Sequence, residues 1–282
     1  YGTGSHAEGA NNTANNIASH VEGISNVTNA DAAHAEGGNN TASGYAAHAE
    51  GSYNTASGNS SHAEGYNNRA TGIASHAHGT DNIVHAPAGS AQGANNLIEA
   101  SGVNSSAIGV LNTIAGINSV AQGEDNLIDA TVRSGIAIGK HNHIRGDYSV
   151  AIGKGNRAIG KESIALGTGA RAGHEQSIVY SATDSNNYQS NSFGDHTFNV
   201  FASSGIVLYD STTIGDPASA TFFAITTAGF VGIGTEEPYD MLTVAGNISA
   251  QGSLSATAPG DMWHSIEGNL VGGISYHIAP HD

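Results

Sequence analysis

Six imidazoles recur at even spacing. His6, His20, His34, His48, His62 and His76 stand 14 residues apart, and the first five are each followed two places on by Glu8, Glu22, Glu36, Glu50 and Glu64. In the sixth copy the second position is again histidine, His78. Imidazole titrates near neutral pH and ligates transition metals, and a carboxylate can serve as its proton partner or as a further ligand. Catalysis would need more: a nucleophile beside a base, or paired carboxylates in a groove. No such set has a local signature, and aromatic residues that could form a groove are scarce before residue 176. The sequence is read as that of a protein without enzymatic activity.

Equal spacing calls for a repeating element. The pentapeptide Ser5-His6-Ala7-Glu8-Gly9 returns in register through Ser75-His76-Ala77-His78-Gly79. It continues in altered form as Ser105-Ser106-Ala107-Ile108-Gly109, Ser149-Val150-Ala151-Ile152-Gly153 and Ser163-Ile164-Ala165-Leu166-Gly167. Two steps, 89 to 105 and 119 to 135, carry two extra residues. A glycine-rich 14-residue period opposes helix and suits a coil of two short strands joined by tight turns. Strand alternation puts motif positions one, three and five (Ser, Ala, Gly) on one face and positions two and four on the other. Small residues then line the inside of a flat roll, joined by Ala14, Ala42, Ala56 and Ala70 from the second strand. Asn-rich turns and Gly44, Gly58 and Gly72 are expected to supply the tight or positive-φ positions.

Composition sets the outer limits. The 282 residues include 39 glycines, no cysteine, and a formal charge of −16. Without a basic stripe, nucleic acid and anionic membrane are poor partners. No apolar run is long enough to insert in a membrane, and disulfides and thiolate metal sites are excluded. The opening Tyr1-Gly2-Thr3-Gly4 reads as mid-repeat, as expected of a fragment or a processed product.

The motif Ser149-Val150-Ala151-Ile152-Gly153 at 14-residue spacing resembles the head repeats of YadA-like trimeric autotransporter adhesins. Its His-Ala-Glu-Gly form resembles repeats of phage tail fibres and other bacterial fibres. The resemblance spans about residues 1–180. It implies an all-β, left-handed parallel β-roll in a side-by-side homotrimer. Further on, residues 229–248, from Gly229-Phe230-Val231-Gly232, resemble a tail-fibre segment that often precedes a self-cleaving chaperone.

Positions two and four point away from the roll, and an exposed ladder of them would be a large apolar patch. Val120, Ile136, Ile138, Val150, Ile152, Ile164 and Leu166 are therefore assigned to a trimer axis, continuing the line of His6 to Glu64. Two readings of the His/Glu layers are open. They are hydrogen-bonded polar layers that fix register, or they respond to pH and ions. Ionised pairs would raise the histidine pKa on folding. His76 and His78 are the candidate metal ligands, since three chains would offer six imidazoles, suited to iron, nickel or zinc. Rings of this kind resemble those that hold iron in some phage tail-fibre trimers. His141-Asn142-His143 has the same spacing but falls in a turn.

Residues 1–180 are thus expected to form the roll, 181–236 a β-rich cap or shoulder, and 237–282 a connector with a terminal element holding Trp263. The expected function is a structural or adhesive segment of a homotrimeric extracellular fibre, on a virion tail or a bacterial surface. Its expected partner is a cell-surface receptor, glycan or protein. The alternative is part of a phage tailspike whose polysaccharide-degrading domain lies elsewhere.

Overall fold

The computed structural model describes residues 2–182 and 190–202, and the strands Ile206–Tyr209, Phe222–Ile225, Val231–Ile233 and Leu242–Val244. The chain divides into two units, Tyr1–Ile206 and Val207–Asp282. Trp263 and the His-rich ending lie outside the described residues.

The first unit is a parallel β-solenoid. Each regular coil contributes one five-residue strand, such as His48–Ser52, and one two-residue strand, such as Thr55–Ala56. The long strands stack into a 14-stranded sheet and the short ones into a 13-stranded sheet. All described pairings in these two sheets are parallel, and each motif residue faces its own counterpart, as in His48↔His62, Ala49↔Ala63 and Glu50↔Glu64. Both two-residue insertions are absorbed in turns, so that pairing holds across them at Ser90↔Ser106 and Val120↔Ile136. The sheets outlast the sequence repeat: Phe198–Ala202 pairs with Ile178–Ala182. In the second unit, four strands form a sheet in chain order, with Phe222–Ile225 antiparallel to Val231–Ile233.

The interior follows the expected alternation. Ala35, Ala49, Ala63, Ala77 and their successors are fully buried, with Ser19, Ser61, Ser119 and Ser163 beside them. The core is not uniformly thin, however. Between Val84 and Ile144 the short strands turn Val84, Ile98, Ile114, Ile128 and Ile144 inward. Space for them comes from smaller neighbours: a Cβ on Gly135 would meet Val132 Cγ1 at 2.8 Å and Ile144 Cγ2 at 3.1 Å. Gly89 and Gly102 sit in the same way against Val84 Cγ1 and Ile98 Cγ2, at 2.8 and 2.9 Å from where a Cβ would lie.

The motif glycine serves a second purpose besides smallness. Gly65 has φ +106°, and a Cβ there would meet the carbonyl oxygen of Gly79 at 2.2 Å. Gly44, Gly58 and Gly72 prove tight but not positive in φ; a Cβ on Gly58 would meet Gly72 O at 2.0 Å. The left-handed turn positions are instead held by residues such as Asn67 and Ala74, both at φ 54°.

A buried asparagine ladder ties the coils together. Asn68 Nδ2 donates to Glu64 O at 2.7 Å within its coil and to Gly79 O at 2.7 Å in the next. Its Oδ1 accepts from the backbone N–H of Asn82 at 3.0 Å. Asn26, Asn40, Asn54, Asn82, Asn96, Asn112, Asn126, Asn142 and Asn156 repeat the arrangement. Each amide is saturated, which is what makes its burial tolerable. Replacing Asn68 with Ala strands a buried N–H and two carbonyls, and should lower unfolding free energy by about 3 kcal/mol. Denaturant titration against a Thr55→Ala surface control checks this. A loss no larger than the control's would contradict it.

Candidate functional site

The histidines and glutamates stand on the outward face of the long-strand sheet, because alternation sends the intervening alanines inward. Parallel strands lie about 4.8 Å apart, and in-register pairing imposes that spacing on the side chains. Ring centroids are 4.7 Å apart for His20–His34, 4.6 Å for His34–His48, 4.7 Å for His48–His62 and 4.9 Å for His62–His76. These four pairs lie within 20° of parallel. Only the first step, His6–His20, is edge-on, at 66°.

The glutamates flank this stack without bonding to it. His34 Nε2 lies 3.8 Å from Glu36 Oε2, His48 Nε2 3.8 Å from Glu50 Oε2, and His62 Nε2 3.9 Å from Glu64 Oε2. Such distances allow charge attraction but are too long for a hydrogen bond. The Nε2 atoms of His34, His48, His62 and His76 are shielded from solvent and have no hydrogen-bond partner. Burial pushes the pKa of His34 and His62 below the ordinary histidine value, with the charge of adjacent histidines adding to it and the glutamates opposing it. For His76 burial leads again, followed by His78. Ionised His–Glu pairs, with raised histidine pKa, are therefore not what the chain forms at these three positions. At His34 and His62, neighbouring imidazoles 4.6–4.9 Å away add to burial in favouring the neutral form.

Two groups bring three ligand atoms within 4.8 Å of one another: His48, Glu50 and His62, and His62, Glu64 and His76. Their rings run nearly parallel, at 12° and 17°, so the imidazole lone pairs run side by side instead of converging. A metal needs donors aimed at one point about 2.0–2.2 Å away. His76 and His78 show the same feature, with centroids 6.1 Å apart and planes 7° from parallel. One chain alone supplies donors of the right chemistry without a closed coordination sphere. His141 and His143 each face their own carboxylate, Asp125 at 3.6 Å and Asp129 at 2.8 Å, on either side of the buried Asn142.

Farther along the same face the polar ladder gives way to Val120, Ile136, Ile138, Val150, Ile152, Ile164 and Leu166, stacked in register. None of these, nor any of the His and Glu residues from His6 to His78 on this face, is buried within the chain. Ile136 keeps 37% and Ile152 40% of its surface exposed. Sequence reasoning missed the asparagine ladder, because asparagine between short strands reads as a solvated turn. Its strict place three residues after the motif glycine was the available signal.

A parallel β-solenoid of 14-residue coils with one stacked outward face is thus the architecture. Residues 145–170 and 158–179 match the YadA head domain repeat in two copies, so the chain contains YadA head repeats. The coils on either side continue their geometry. YadA head repeats are typically non-catalytic structural domains of adhesins. No curated protein matches the chain.

A pKa lowered on folding means that acid protonates the unfolded chain first. The stability of the His34, His62 and His76 layers is thus intact above about pH 6.5 and is lost as pH falls from there through their lowered folded values. Melting temperature should begin to drop as pH falls below about 6.5 and go on falling down to the lowered folded values. Replacing the three histidines with Gln should flatten that slope. A melting temperature that rises on acidification would instead indicate ionised pairs.

Proposed function

We propose that the chain is a structural and adhesive segment of a homotrimeric extracellular fibre, carried on a phage tail or a bacterial surface. Three chains lie side by side, each winding as a left-handed roll, with the outward faces of their long-strand sheets turned to a common axis. The observation that carries this reading is the in-register ladder of half-exposed Val and Ile from Val120 to Leu166. A row of aliphatic side chains that long is costly to leave in water. The thin, Ala-lined part of the roll buries little on its own, so association supplies stability that the single chain lacks. The YadA head repeats support the same arrangement, since that family implies trimers.

On this arrangement the His/Glu layers also approach the axis. His76 and His78 from three chains would hold one transition metal ion, iron, nickel or zinc, at the point where the polar face gives way to Ser90 and Gln92. The ion would pin register at that junction. A cell-surface receptor, met by the outer surface, is the partner.

Light scattering of the full chain should give three times the monomer mass, and Ile138→Asp with Ile152→Asp should dissociate or unfold it. A stable monomer of the unaltered chain would overturn the assembly. Metal analysis of untagged protein should find about one ion per three chains, released by acid as the imidazoles take up protons. Less than about a tenth of that, with His78→Glu leaving stability unchanged, would leave a metal-free polar layer.

A further inference from the structure

Cations and large aromatic rings are rare in the first half of this chain, and three of the few present, Tyr53, Tyr66 and Arg69, fall on adjacent coils. Arg69 is the only Lys or Arg before Arg133, and Tyr45, Tyr53 and Tyr66 are the only Phe, Trp or Tyr between residues 2 and 147. Coil register turns this local density into a patch. Ser52 pairs with Tyr66, which brings the ring of Tyr53 to 5.8 Å from that of Tyr66, edge to face at 71°. Both tyrosines keep more than half their surface exposed. Arg69 stands on the short-strand sheet between Thr55 and Ile83. Tyr53, Thr55, Asn67, Arg69, Asp81 and Ile83 line a shallow cleft of about 400 Å³.

Two features define the chemistry of this cleft. The Arg69 guanidinium is exposed and makes no hydrogen bond or ion pair among the described residues. Asp81, the nearest carboxylate in the cleft, is instead engaged by Asn67 Nδ2 at 2.6 Å. Secondly, Tyr53 occupies a left-handed turn position at φ 60°. Neighbouring coils place Asn39, Asn67, Asp81 and Asn95 there, residue types that accept this conformation readily. A bulky residue at positive φ is strained; Leu111 takes the same turn position at φ 60°, so what distinguishes Tyr53 is its exposed ring beside Arg69 in the cleft.

We propose that this cleft binds a sugar residue bearing a carboxylate. Tyrosine presents rigid, amphipathic area at small entropic cost, suited to the flat apolar face of a pyranose ring. The Asn67 and Asp81 side chains offer donor and acceptor atoms to ring hydroxyls. The unpaired guanidinium supplies the fork that a carboxylate takes with two hydrogen bonds. The formal charge of −16 repels polyanions at longer range, so the site suits a single acidic unit and not a densely charged polymer. The proposal deepens the fibre reading and rests on it only in turning the short-strand sheet outward, away from the chain–chain contact.

Saturation-transfer NMR and calorimetry on the full chain test it, with light scattering on the same sample. The probes are glucuronate and N-acetylneuraminate, with glucose and acetate as the neutral-sugar and acid-only controls. At least one acidic sugar should receive transfer at its ring protons and bind about tenfold or more above glucose. Arg69→Gln should reduce that sugar to the glucose level. Tyr53→Asn should weaken binding about tenfold while leaving the melting temperature unchanged or raised, because asparagine is the repeat's own choice. Transfer to neither acidic sugar, binding equal in the parent and both variants, or acetate bound as well as the sugar would each overturn the proposal. A trimer that fails to bind refutes the cleft alone, whereas a monomer that binds refutes the assembly alone.

Discussion

Everything in the roll follows from stacking near-identical coils in parallel register, so that each side chain meets its own kind at strand spacing. That constraint selects residues by whether they tolerate a copy of themselves. Alanine does so at no rotameric cost. Asparagine does better, because it is self-complementary: its amide donates to the next coil's carbonyl while its oxygen accepts the next asparagine's N–H. Glycine at the motif's end is selected by the next coil's carbonyl, which a Cβ on Gly37 would meet at 2.1 Å. Inter-coil bonding is thereby built into the sequence period.

Histidine and glutamate tolerate self-stacking least. A column of imidazoles cannot all carry charge, and a column of carboxylates repels itself. The structure resolves the first problem by burying the Nε2 edges of His34, His48, His62 and His76 and lowering the pKa of His34, His62 and His76. The cost of such layers is repaid if polar rungs fix which coil faces which across neighbouring chains, a role that aliphatic rungs such as Ile138 and Ile152 perform less selectively. A polar stretch running into an apolar one would divide the face between register and adhesion between chains.

The solenoid was legible in the sequence because the repeat keeps phase over thirteen coils and the strand period assigns faces. Ala63 inward and His62 outward follow from alternation alone. What escaped that reading depends on contacts across coils, which a linear pattern does not display. Asn68 reads as a turn residue until Gly79 O is seen beside it. The inward Ile98, Ile114, Ile128 and Ile144 look like strand residues of either face until the small residues opposite them are placed. The His/Glu ladders were visible as ladders, but their charge state was not. At His34 and His62 it rests first on burial and then on the charge of the adjacent histidines, and no spacing rule gives that.

The central claim is that the long-strand face meets its copies while the short-strand face looks out. The chain has no cysteine, so single-site spin labels can be placed cleanly. Dipolar distance measurements between chains, with the label at Gln122→Cys on the long-strand face or Thr113→Cys on the short-strand sheet, compare the two surfaces directly. Closely spaced labels at residue 122 and widely separated ones at 113 are the predicted result. The reverse order, or no dipolar contact at either position, would contradict it.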